Sequence, residues 1–148
     1  MKTQPINILL ADDDIDDCLF FKEVLDKLIV CTCLTAVHNG EQLMQLLTKQ
    51  HHKLPDVLFL DLNMPRKNGF ECLLEIKLNK LLEQLPVIMY STSNEQEVIN
   101  LLYKNGAQYF IRKPAKISQF KEIIQKTLTL IAQGNILQPN RENFAITV

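Results

Sequence analysis

Five short apolar runs punctuate the chain, and each is followed by a stretch whose apolar positions recur every three or four residues. This alternation constrains the fold more than anything else in the sequence. The runs Ile6–Ala11, Val30–Val37, Val57–Leu60, Val87–Tyr90 and Tyr109–Ile111 are rich in β-branched, aliphatic or aromatic residues bounded by turn-forming ones, and they read as strands. Ile8-Leu9-Leu10-Ala11 and Val57-Leu58-Phe59-Leu60 are apolar at every position, as a strand must be when helices cover both faces of a parallel sheet. Between the strands the period is helical. Cys18, Phe21, Val24, Leu25 and Leu28 form one stripe, and Phe120, Ile123, Ile124, Thr127, Leu128 and Ile131 form another. Shorter helical patterns occupy Glu41–Thr48, Phe70–Leu78 and Glu95–Lys104, with Asn39-Gly40, Asn68-Gly69 and Asn105-Gly106 as turn signals.

Strict βα alternation implies right-handed crossovers, because a parallel neighbour is reached only by a return across a sheet face. The expected fold is α/β: a doubly wound (βα)5 flavodoxin-like three-layer sandwich with a five-stranded parallel sheet of order 2-1-3-4-5. A domain over residues 5–132 is expected, followed by a tail over 133–148, because Gln133-Gly134-Asn135 ends the helical pattern. Fraying is the commoner fate of such a tail, with an edge strand at Phe144–Val148 or docking as the alternatives. The tail is too short for an output domain.

Composition narrows the function. With 16 basic and 17 acidic residues the net charge is −1, so no charge excess points to DNA or to an acidic membrane. No apolar run approaches the roughly 20 residues of a membrane span. Nothing behind the N-terminus resembles a signal peptide, and Cys18, Cys31, Cys33 and Cys72 lack metal-site spacing, so a reduced, cytoplasmic protein is expected. Cys31-x-Cys33 reads as packing, and His51-His52 as a solvated basic loop. The leucines from Leu73 to Leu85 read as a somewhat long third helix and its exit.

The polar residues gather where chemistry is expected. Ligands of open α/β sheets bind beyond the carboxyl ends of the strands, where strand order reverses. Asp12, Asp13 and Asp14 follow the first strand, Asp61 ends the third, Ser91 and Thr92 end the fourth, and Lys113 follows the fifth. In the order 2-1-3-4-5, Asp12, Asp13 and Asp61 converge on one crevice. Three close carboxylates repel unless their pKa values rise or a cation joins them. A hard divalent ion such as Mg²⁺, which favours carboxylate oxygens, backbone carbonyls and water, suits the set. Lys113 supplies a point charge for an incoming anion. Asp14 and Asp16 read instead as helix capping and dipole charges.

Ile8–Asp14, Asp56–Pro65 with Gly69, Pro86–Ser91 and Lys113-Pro114 resemble, in order and at the corresponding strand ends, the motifs of the receiver domain of bacterial two-component response regulators. The similarity spans about Ile6 to Ala132. The resemblance implies that Asp61 is the phosphoacceptor, taking a phosphoryl group from a phosphohistidine on a histidine kinase or histidine phosphotransfer protein. It implies a Mg²⁺ site, with Mn²⁺ as substitute, made by Asp13 directly, Asp12 through water, Asp61, and the backbone carbonyl of Asn63. Lys113 would pair with Asp61 at rest and with phosphate afterwards, and the Ser91 hydroxyl would hydrogen-bond the phosphoryl group.

The family's switch would then run through Ser91 and Phe110, whose inward turn changes the surface of the fourth helix, fifth strand and fifth helix. Phe110 lacks the hydroxyl with which a tyrosine there marks an exposed state. Asn63 and Ser93 stand where relatives tune dephosphorylation, Thr92 where a small residue admits the donor, and Pro114 where the family has a cis proline. The implied protein is a stand-alone receiver that catalyses only its own phosphorylation and dephosphorylation and acts through protein contacts, with a homodimer left open. A Mg²⁺-dependent phosphohydrolase is the competing reading, but such enzymes usually carry a second Asp two residues after the nucleophile, where this chain has Asn63. A constitutive protein-binding module is a third reading, disfavoured because Asp61 and Lys113 are both present.

Overall fold

The computed structural model describes residues 4–49, 53–134 and 137–147. His51, His52, Asn135, Ile136 and Val148, which entered the reading above, lie outside the described residues.

The elements alternate as β1 (Ile6–Ala11), α1 (Ile15–Asp26), β2 (Thr32–Val37), α2 (Gly40–Thr48), β3 (Val57–Asp61), α3 (Gly69–Leu78), β4 (Val87–Ser91), α4 (Gln96–Lys104), β5 (Tyr109–Arg112) and α5 (Ile117–Ala132). A short helix α6 (Arg141–Phe144) and a two-residue strand β6 (Ala145–Ile146) complete the order. All neighbouring strands are parallel, in the order β2-β1-β3-β4-β5-β6. The expected order 2-1-3-4-5 is therefore present, extended by one strand at the β5 edge.

Because side chains alternate across a strand, each central strand feeds two cores. Leu9, Ala11, Leu58, Leu60, Met89 and Phe110 pack with α2, α3 and α4. Ile8, Leu10, Phe59, Tyr90 and Ile111 pack with α1 and α5, where Phe21 lies edge-on to Phe59 at 5.0 Å between ring centroids and Tyr90 stacks on Phe120 at 5.7 Å. β3 and β4 are buried along their whole length, as their unbroken apolar runs require.

Several expectations need correction. The strand expected from Val30 begins at Thr32, since Val30 is exposed and Ile29 fully so. The third helix ends at Leu78, where its helical pattern ends, so it is not long, and the exit is a turn through residues 80–85. Leu82 and Leu85 enter the core there, while Leu78 and Leu81 stand in solvent. Cys31 and Cys33 are both exposed, so core packing does not account for them: β2 is an edge strand with one open face. The Lys113–Pro114 peptide is trans, the default for an X-Pro bond, and so departs from the cis proline that the family resemblance brings to that place. Among the described residues no helix is long and apolar enough to cross a membrane.

The largest correction concerns the tail. Its described part does not fray: Phe144 is fully buried against Tyr103 at 5.1 Å, and Ala145 and Ile146 pair with Phe110 and Ile111. Tyr103 donates its hydroxyl to the Pro139 carbonyl (2.8 Å), Gln138 donates to the Tyr103 and Ala107 carbonyls (2.7 Å each), and Arg141 donates to Asn100 and Gln96. One buried ring and a set of hydrogen bonds to backbone carbonyls and side-chain amides hold a polar segment that sequence patterning alone leaves loose. Truncating the ring, Phe144→Ala, is expected to cost about 3 kcal/mol, read as a lower urea midpoint. An unchanged midpoint would mean that the tail contributes nothing to stability.

Candidate functional site

The first and third strands end side by side, with Asp12 just past the end of β1 and Asp61 as the last residue of β3. Ala11 is paired with Leu60 in register, so Asp12 and Asp61 leave the sheet next to one another. Carboxylate oxygens of Asp12, Asp13 and Asp61 lie within 4.8 Å of each other. Asp12 is completely buried and Asp61 nearly so, while Asp13 faces solvent at the mouth.

Local hydrogen bonds set the arrangement. Asp12 extends the sheet by donating its N–H to the Val37 carbonyl (3.0 Å), and its Oδ1 accepts from the Asp14 N–H (3.0 Å). Asp14 then caps α1, accepting from the N–H groups of Asp16 and Asp17. Asp14 is therefore the cap expected from its place before the helix, and Asp16 lies exposed in the first turn, where its charge suits the helix dipole. Asp61 Oδ1 accepts from the Asn63 N–H at 3.2 Å. Gly69 donates to the Leu62 carbonyl, and a Cβ on it would stand 2.2 Å from the Asp61 carbonyl oxygen. No side chain fits there without pushing the backbone of Asp61 out of place.

Lys113 reaches the crevice from the end of β5, its N–H donating to the Ser91 carbonyl (2.8 Å). Its Nζ lies 2.9 Å from Asp12 Oδ2, 2.9 Å from Asp17 Oδ2 and 3.4 Å from Asp61 Oδ2, with only 11% of the side chain exposed. Beneath it lies the Tyr90 ring, 4.5 Å from centroid to Nζ, a cation–π contact that adds to the lysine's anchoring. Burial works against the lysine's charge. Hydrogen bonds to Asp17 and Asp12 and the Asp61 carboxylate outweigh it and hold the ammonium above the ordinary lysine range.

Asp61 is pulled the other way. Burial, opposed by Lys113 and assisted by the negative charge of Asp12, raises its pKa from 3.8 to about 7. One lysine does not neutralise this many acids in a desolvated crevice, and the excess negative charge is what a divalent cation would balance. The donor set is all hard oxygen, so the residues present fit Mg²⁺ or Mn²⁺.

The remaining expected residues are placed as follows. Ser91 is fully buried at the end of β4, and its Oγ accepts from the Ser93 N–H at 3.2 Å. Phe110 is 2% exposed, inside the core on the α2, α3 and α4 face. Asn63 and Thr92 are exposed at the rim, and Ser93 is half-buried. Three contributors escape the sequence patterns: Asp17, Tyr90 and His38, whose Nδ1 lies 3.1 Å from the Asp12 carbonyl. Asp17 stands four residues after Asp13, one helical turn on, which is the one signal that places it at the crevice. Cys18 adjoins the same carbonyl, and burial with the charges of Asp12 and Asp17 pushes its pKa up to about 11, so it is an inert thiol.

Fold and crevice together define a doubly wound α/β protein with a cation-attracting acidic site at the switch point of its sheet. Residues 8–125 match the family described as the response regulator receiver domain, and the chain belongs to that family. It is 37% identical over 97 residues to the "Probable C4-dicarboxylate response regulator DctR" of Bacillus subtilis, a match covering 66% of this chain and 40% of that protein's length. Among solved structures it is similar to the phosphorylated cyanobacterial phytochrome response regulator RcpA (TM-score 0.79, 29% identity, 88% of this chain and 96% of that one). The Mn²⁺-bound form of response regulator Rcp1 is similar too (TM-score 0.78, 27% identity, 91% and 99%).

The raised Asp61 pKa makes stability depend on pH. Between about pH 4 and pH 7 the folded chain keeps a proton that the unfolded chain releases. This group's contribution is therefore full below the unfolded value near 3.8 and is lost as pH rises through about 7. In a metal chelator, Asp61→Asn is expected to stabilise the protein at pH 8 by on the order of 2 kcal/mol, and much less at pH 5. Thermal unfolding at the two pH values checks this; an equal gain at both would contradict it.

Proposed function

We propose that Asp61 accepts a phosphoryl group from a phosphohistidine on a histidine kinase or histidine phosphotransfer protein, and that the resulting aspartyl phosphate switches a protein-binding surface. The observation that carries this reading is the crevice itself. A buried carboxylate lies 3.4 Å from a largely buried lysine and within 4.8 Å of two further acids.

An Asp61 oxygen attacks phosphorus, an O–P bond forms, and the P–N bond of the phosphoimidazole breaks. The imidazole leaves with that electron pair and takes up a proton. The product is a mixed anhydride, which water returns to carboxylate and inorganic phosphate. Such transfer is catalysed mainly by positioning and charge neutralisation. Lys113 binds a phosphoryl oxygen as a point charge. Ser91 Oγ accepts from Ser93 N–H, which leaves its own proton to donate to the phosphoryl group. Asp13 and Asp61, the Asn63 backbone carbonyl, and Asp12 through water would hold Mg²⁺, with Mn²⁺ as substitute. Bound there, the cation screens the acceptor carboxylate from the incoming phosphoryl group. The Mn²⁺-bound Rcp1 and phosphorylated RcpA structures support both parts of the reading for this chain.

The domain, residues 5–132, turns over no substrate other than its own phosphate. Its signal leaves through Ser91 and Phe110 toward α4, β5 and α5, a face on which the described tail residues 137–147 also pack, so the target protein meets tail and domain together. Free cysteines go with a reducing, cytoplasmic setting.

Incubation with acetyl phosphate and Mg²⁺ is expected to raise the mass of the wild type by one phosphate. Asp61→Asn, or a chelator, should reduce the adduct to background. Modification of another residue in the wild type would contradict the assignment.

A further inference from the structure

Lys113 has three ammonium protons and three carboxylate neighbours, and the longest of the three contacts is the one to Asp61. The two 2.9 Å contacts go to Asp12 and Asp17, while Asp61 stands off at 3.4 Å. Asp12 also has work at the cation site. Asp17 has none: it is not in the acid trio, and it reaches the lysine from α1. Its position is fixed, because its N–H donates to the capping carboxylate of Asp14 at 3.2 Å. The Tyr90 ring closes another side of the ammonium. Asp17 is the most exposed of the three partners, at 37% against 0% for Asp12 and 6% for Asp61.

We infer that Asp17 is a positioning residue that tethers the Lys113 ammonium on the α1 side of the crevice and so restrains its move onto the incoming phosphoryl group. The effect on the reaction rests on the phosphoacceptor reading above, whereas the tether itself does not. With Asp17 neutralised, one ammonium donor is released. The phosphoryl oxygens carry more charge than Asp61 offers alone, so the released donor favours the transfer state over the resting one. An ion pair of this partial exposure is worth roughly 0.5–1 kcal/mol, which as a rate is about two- to fivefold.

Two measurements on the full chain test this. Phosphorylation by acetyl phosphate in saturating Mg²⁺ is expected to run roughly two- to fivefold faster in Asp17→Asn, with Asp17→Glu close to the wild type because the carboxylate is restored. Asp16→Asn removes the same charge from the same exposed turn and should leave the rate unchanged. An Asp17→Asn rate that is unchanged or slower, or an equal acceleration in Asp16→Asn, would overturn the proposal.

The second measurement needs neither metal nor phosphate: the ¹⁵N–¹H signal of the Lys113 ammonium in the metal-free protein. It should be protected from exchange in the wild type and in Asp16→Asn, and broadened away in Asp17→Asn. A wild type that takes no phosphate would end the phosphoacceptor reading. In that event persistence of the ammonium signal in Asp17→Asn would overturn the tether, and its loss would uphold it.

Discussion

The buried contact between one ammonium and several carboxylates is the interaction on which this structure turns. Lys113 holds together acids that would otherwise drive each other apart. In a desolvated crevice that attraction is strong, yet it falls short of compensating every charge, and the deficit appears as an Asp61 pKa near 7. A site left with excess negative charge but already furnished with one cation is prepared for two further charges of opposite sign, a divalent metal and a phosphoryl group. The fold therefore keeps electrostatic tension at one edge and offsets it with two well-packed cores.

The sheet makes the tension sustainable. Asp12, Asp61 and Ser91 sit at or just past the ends of strands that are buried along their whole length in β3 and β4 and from Ile8 onward in β1, so their backbones are fixed by hydrogen bonds before their side chains meet. Gly69 closes the loop after β3 so tightly that only a hydrogen fits against the Asp61 carbonyl. The same sheet carries Phe110 and the tail. β5 pairs with β4 on one side and with β6 on the other, so a shift at the end of β4 and the packing of the tail act on the same strand.

What was legible in the sequence follows from period and position. Unbroken apolar runs identified β1 and β3 as central strands, and the residues that follow them identified the crevice, because a doubly wound sheet puts its strand ends together. Short polar stretches were harder. Phe144 is one aromatic residue in a polar tail, and nothing local tells that it fills a slot beside Tyr103. Cys33 alternates along β2 as a strand residue should, but which face lies open depends on β2 being an edge. Asp17 carries no local sign of its role, since its partner Lys113 stands 96 positions away in the chain. Tyr90 closes the strand run expected at Val87–Tyr90 and is buried in the core, and its second role beneath the ammonium arises only from where β5 ends.

The central claim is that acids from two distant segments share one cation beside the phosphoacceptor. Anomalous diffraction from crystals soaked in Mn²⁺ tests it most directly. One peak is expected within coordination distance of both Asp13 and Asp61. A peak that touches neither, or full Mn²⁺ binding that leaves Asp61 uncoordinated, would contradict the account.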